Sequence, residues 1–71
     1  MRLCILSGKD ICRILEKYEF YQVRRRGSHI AMQKRLAGST ITVMVPDHKE
    51  VRIGTLRSII RQSGIPRSEF E

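Results

Sequence analysis

The chain has 71 residues, 41% of them hydrophobic, and carries 14 Lys+Arg against 7 Asp+Glu for a formal net charge of +7. That length supports one domain, residues 1–71, which buries only about 60% of the surface its unfolded form would expose, so a stabilising partner would be unsurprising. The longest apolar runs, "LCIL" and "ITVMV", fall far short of the roughly 20 residues of a membrane-spanning helix, and "MRLCILSGKD" lacks the apolar h-region and small-residue cleavage site of a signal peptide, which points to the cytoplasm.

In chain order, the first predicted element is a helix over "LSGKDICRILEKY". Ser7 stands as N-cap with Asp10 three residues later to return the capping bond, and Leu6 is placed to staple against Ile11. Ile11, Ile14, Leu15 and Tyr18 recur at i, i+3, i+4 and i+7, one apolar stripe facing a core. The two cysteines, Cys4 and Cys12, have neither the number for a disulfide framework nor the spacing of a zinc or redox pair, and read as small apolar packers.

The period then changes to two. Tyr21 and Val23, then Ile30 and Met32, then Ile41, Val43 and Val45 alternate with polar residues, with turns at Arg26-Gly27 and in "LAGS", which predicts a three-stranded antiparallel meander. On this reading one face is buried, and the other carries Gln22, Arg24, His29, Ala31, Gln33, Thr40, Thr42 and Met44. Pro46 ends the third strand, and "DHKEVRI" reads as a polar connection.

A second helix follows over "GTLRSIIRQSG", with Leu56, Ile59 and Ile60 as its stripe. Gly64 fits the left-handed position past its end, with Ile65 placed for the apolar contact of a Schellman motif. Pro66 stops the helix, and "PRSEF" adds a further turn whose Phe70 packs back. Helix, strand, strand, strand, helix makes a two-layer α+β sandwich, because both apolar stripes must be buried and one sheet face is available to bury them.

The charge points to a polyanionic partner, nucleic acid first and an acidic protein second. Ten of the basic residues are arginine, whose planar fork engages phosphate in a bidentate way and stacks on bases. "RRRGSHIAMQK" concentrates this character: Arg24, Arg25 and Arg26, then a turn, then His29 on the open face if Ile30 and Met32 point inward. Histidine exchanges protons near neutrality, so beside a cationic patch His29 could take a proton from a ribose 2′-hydroxyl or give one to a leaving 5′-oxygen. RNA brings its own nucleophile, so such chemistry needs neither metal nor cofactor, and no cluster in the sequence has metal-ligand spacing. The plainer alternative, a half-exposed polar residue beside a solvated charged strand end, stays open on pattern alone. His48 is a possible accessory group, and Lys34, Arg35 and Lys49 extend the cationic surface or are ordinary solvated residues.

Four blocks, "LSGKDICRILEKYEF", "VRRRGSHIAM", "ITVMVPDHKE" and "GTLRSIIRQSGIPRSEF", resemble in that order the successive blocks of HicA-type toxins of bacterial type II toxin–antitoxin systems, over about residues 6 to 70. The most specific elements are the triplet Gly27, Ser28 and His29 and the "GTLRSI" block from Gly54 to Ile59. The resemblance implies a double-stranded-RNA-binding-like α-β-β-β-α fold. It implies an mRNA endoribonuclease that arrests growth without depending on translation and is held inactive by a HicB-type antitoxin covering the site. It also implies that His29 is the acid/base group, with Gly27 and Ser28 setting the strand entry. Met32 and Ile53 depart from the family pattern, standing where many relatives carry an aromatic residue and a proline.

Overall fold

The computed structural model describes residues 4–71; Met1, Arg2 and Leu3, which belong to the N-terminal stretch read above for a targeting segment, lie outside the described residues. The elements are α1 (Gly8–Lys17), β1 (Tyr21–Arg26), β2 (His29–Leu36), β3 (Ser39–Pro46), α2 (Ile53–Ser63) and a closing 3₁₀ turn (Arg67–Phe70). The strands pair antiparallel in the order β1-β2-β3, and the helices lie against one sheet face. This is the α-β-β-β-α sandwich expected from the periodicities. No helix among the described residues is long and apolar enough to cross a membrane.

α1 starts where its capping residues dictate. The Ser7 hydroxyl accepts from the Asp10 N–H at 3.1 Å, and the Asp10 carboxylate accepts from the Ser7 N–H at 3.2 Å, so two orphan donors are satisfied reciprocally. These bonds, the backbone one first, hold the Asp10 carboxyl below its ordinary value of 3.8. Ile11 and Leu15 are buried, and Ile14 and Tyr18 flank them.

α1 rather than α2 ends in a Schellman motif. Phe20 N–H donates to Leu15 C=O and Glu19 N–H to Glu16 C=O, each at 3.1 Å. The left-handed residue between them is Glu19, at φ 69, a position glycine usually fills. Buried Phe20 and Leu15 supply the motif's apolar contact. The α2 end differs from the sequence expectation. Gly64 is left-handed at φ 73, but only its own N–H returns to Ile60 C=O, at 3.2 Å, while Ile65 N–H donates to the Ser63 hydroxyl at 3.2 Å. Ser63 Oγ takes the donor that would otherwise close the Schellman pair.

β2 and β3 alternate as expected: Ile30, Met32, Val43 and Val45 join Leu56, Ile59 and Phe70 in the core. β1 does not. A β-bulge lies between Gln22 and Arg24, and Tyr21 and Val23, expected inside, are 65% and 52% exposed. The bulge inserts one extra residue and resets the alternation. Gln22, expected on the open face, now pairs with inward Met32, while Tyr21 pairs with Gln33.

Two smaller readings also change. Val51, in the supposed polar connection, is buried, and its N–H donates to Leu6 C=O at 2.8 Å. Both cysteines are free thiols, but only Cys12 packs against the core; Cys4 is exposed. Burial, with Glu16 and Asp47 nearby, pushes the Cys12 thiol above its ordinary value.

Candidate functional site

The β1–β2 turn is Gly27-Ser28, one residue later than the pattern suggested, with Gly27 at φ 61. The first central position of a II′ hairpin turn requires this conformation and favours glycine there. The turn delivers His29 to the first position of β2, opposite Arg26 on one side and Pro46 on the other. His29 is exposed, on the sheet face away from the helices.

Antiparallel partners share a face, so the register sorts the three arginines. Arg24 opposes Ala31 and Arg26 opposes His29, whereas Arg25 opposes buried Ile30. Arg24 and Arg26 therefore stand on the open face with His29. Arg25 reaches to the helix side, where its guanidinium meets the Asp47 carboxylate at 2.6 Å and its Nε–H donates to Gly27 C=O at 3.1 Å. The run from Arg24 to Arg26 is split between the faces: two arginines face outward, and the middle one braces the hairpin. Lys34 also lies off the open face. It has the inward parity of Ile30 and Met32, and its ammonium stands 5.9 Å from the centre of the Phe20 ring. Ala31 holds its expected place on the open face but is buried there, between Arg24 and Met44.

His29 and Met44 form the common wall of two shallow depressions. One, of about 380 Å³, is bounded by Arg24 and Arg26 with Ala31 as its floor. The other, of about 470 Å³, is bounded by His48, Glu50, Arg52 and Thr55. His48, distant in sequence, thus shares a surface with His29 because its loop is pinned. Asp47 N–H donates to Ser28 C=O at 2.6 Å, and Gly8 N–H donates to His48 C=O at 2.8 Å. With the Arg25–Asp47 pair, these bonds tie the His48 loop to both the β1–β2 turn and the start of α1.

Sequence reasoning missed Gly8, Asp47, Arg52 and Thr55. One signal for Arg52 was legible: it stands as N-cap of α2, makes no side-chain capping bond, and has no acidic residue in the turn that follows. A helix N-terminus favours negative charge, so a cation there with no acid leaves the end of the helix open to an anion. Among the described residues, no three His, Cys, Asp or Glu side chains converge as a metal site would require.

The chain is a small basic two-layer α+β domain whose open sheet face carries exposed arginines around a histidine. The family model described as HicA toxin of bacterial toxin–antitoxin systems matches residues 8–65, and the chain belongs to that family. It is accordingly a toxin component with an antitoxin as its counterpart. No curated protein matches the chain.

Proposed function

We propose that the chain is an mRNA endoribonuclease whose proton-transfer group is His29, neutralised by a HicB-type antitoxin that covers the same face. The observation that carries this reading is the position of His29 in the wall between the two depressions, one with Arg24 and Arg26 and the other with His48 and Arg52. An RNA backbone crossing that wall brings a phosphodiester to the histidine with cations on both sides. Gly27 and Ser28 contribute by holding the turn that aims His29, and Arg25 by bracing it. mRNA as substrate places the action in the cytoplasm.

The chemistry is a transphosphorylation. His29 removes the proton of the ribose 2′-hydroxyl, and the 2′-oxygen bonds to phosphorus. The bond from phosphorus to the 5′-oxygen breaks, and that oxygen takes a proton, leaving a 2′,3′-cyclic phosphate and a 5′-hydroxyl. Arg24, Arg26 and Arg52 offset the charge that builds on the phosphate oxygens. His48 is the accessory group of this surface, able to carry the second proton. A positioned acid/base group supplies about 10²–10⁴-fold, so the enzyme is a slow one whose effect comes from cutting many messages.

Replacing His29 by alanine tests the assignment: cleavage of a messenger transcript and growth arrest should both be lost, with RNA binding close to that of the parent. An alanine variant that cuts as fast as the parent refutes the role of His29. A parent chain that binds RNA and never cuts it identifies a binding module of the shape-reading kind. Cleavage in chelator with cyclic-phosphate ends supports the 2′-hydroxyl route, and activity lost on chelation points to a metal. RNA still bound at full strength under saturating antitoxin contradicts the shared face.

A further inference from the structure

We infer that Tyr21, Gln33 and Arg35 form a nucleobase-stacking subsite on the sheet face that bears His29, holding the base of a nucleotide next to the one cleaved. This rests on the reading of the chain as an RNA-cutting enzyme and deepens it.

Single exposed apolar residues are ordinary and need no explanation. Tyr21 differs because of how it comes to be exposed. Unbroken alternation from Arg24 and Arg26 would turn Tyr21 toward the helices. The bulge between Gln22 and Arg24 turns it outward, opposite Gln33 and on the same face as His29. Bulges recur beside functional sites because they re-aim a side chain in this way. The result is a tyrosine 65% exposed in a depression of about 400 Å³, bordered by Val23, Gln33, Arg35 and Glu19.

The neighbours suit a base. Gln33 Nε2 donates to Thr42 Oγ1 at 3.1 Å, which holds the amide in place and leaves its oxygen as an acceptor for a base edge. Arg35 supplies a cation for the adjoining phosphate, against one carboxylate, that of Glu19. A tyrosine ring stacks on any base, and arginine adds a cation–π contribution, so the contact favours single-stranded RNA with little sequence preference. Gln33 lies four residues along β2 from His29, about 13 Å at the strand rise of 3.3–3.4 Å per residue. The base held there therefore belongs to a neighbouring nucleotide, and the chain grips its substrate at two places on one face.

The test uses the full chain carrying His29→Ala, so that RNA survives the measurement, and a short labelled single-stranded oligoribonucleotide that the parent chain cuts. Adding Tyr21→Ala should weaken binding roughly 5- to 140-fold, the range that alanine substitution gives for one base–aromatic stack. Tyr21→Phe should bind like the parent, and because the side chain is exposed, both variants should melt with it. Oligonucleotides with one abasic position, moved along the strand, should show one position whose loss weakens the parent but not Tyr21→Ala. Equal binding by the alanine variant, or no such position, overturns the subsite while leaving cleavage at His29 standing. A Tyr21→Ala chain that keeps RNA and loses the antitoxin makes the ring a protein contact instead. If no RNA is cut by the parent, the nuclease reading falls and the subsite falls with it.

Discussion

Gly8→Ala is the substitution whose outcome follows most directly from the packing of α1 on the end of β3. A Cβ at Gly8 would lie 2.1 Å from the carbonyl oxygen of Pro46 and 2.8 Å from the Cα of Asp47. An ordinary carbon–oxygen contact is about 3.3 Å, so the end of β3 would have to retreat by more than 1 Å, and both obstacles are backbone. Overpacking of this kind costs about 1–3 kcal/mol. The retreat also breaks the bond from Gly8 N–H to His48 C=O, costing about 0.5–1.5 kcal/mol more. Against that, alanine is up to about 1 kcal/mol better than glycine in a helix interior and gains less in the first turn. The net loss is about 1–4 kcal/mol, out of a total of about 4–11 kcal/mol for a domain this size. At about 4–8 °C per kcal/mol, Tm should fall by about 4–30 °C in a calorimetric or circular-dichroism melt. Gly54, with nothing within 4 Å of its added Cβ, is the control: Gly54→Ala should gain up to about 1 kcal/mol. A Gly8→Ala chain that melts within about 4 °C of the parent, a change below 1 kcal/mol, would refute the close approach and with it the pinning of the His48 loop.

Other outcomes follow from single contacts. Glu19→Gly relieves a left-handed non-glycine residue that costs about 1–2 kcal/mol, so urea unfolding should show a gain near 1 kcal/mol; a loss would mean that the Glu19 side chain matters more than its backbone. Asp10 has its carboxyl lowered in the folded chain, so its contribution is present above the ordinary carboxylate range and is lost as pH falls through the folded value. The Tm gap between the parent and Asp10→Ala should therefore be widest near neutrality and close on acidification, and a gap that widens in acid would contradict the capping box. Arg24→Ala and Arg26→Ala should each flatten the salt dependence of RNA binding by about 0.7 in log–log slope, with stability unchanged. Arg25→Ala should leave that slope alone and cost up to about 1 kcal/mol of stability, the ceiling for a half-exposed pair; the reverse pattern would undo the sorting of the arginines.

The parts legible in the sequence were those carried by local signals. Ser7 and Asp10 are three residues apart, Gly64 follows one turn after Ile60, the last apolar residue of α2, and the alternation of β2 and β3 is written in Ile30, Met32, Val43 and Val45. Each rests on backbone and side-chain groups within a turn or two of one another, so a window of sequence contains the whole cause. The family was legible in the order of the blocks around Gly27, Ser28 and His29.

The tertiary structure decided what depends on pairing between distant segments. A bulge has no local mark in "YQVRRR"; it appears only when β1 is laid against β2, and it alone turns Tyr21 outward. The meeting of His48 with His29 depends on bonds from Gly8, Ser28 and Arg25 to one loop, none of them near His48 in the chain. The sequence by itself determined which elements form and which residue types they carry, because propensity, capping and periodicity act over short spans. Which of those residues share a surface was left to register and packing, where one extra residue in an edge strand exchanges the two faces of everything before it.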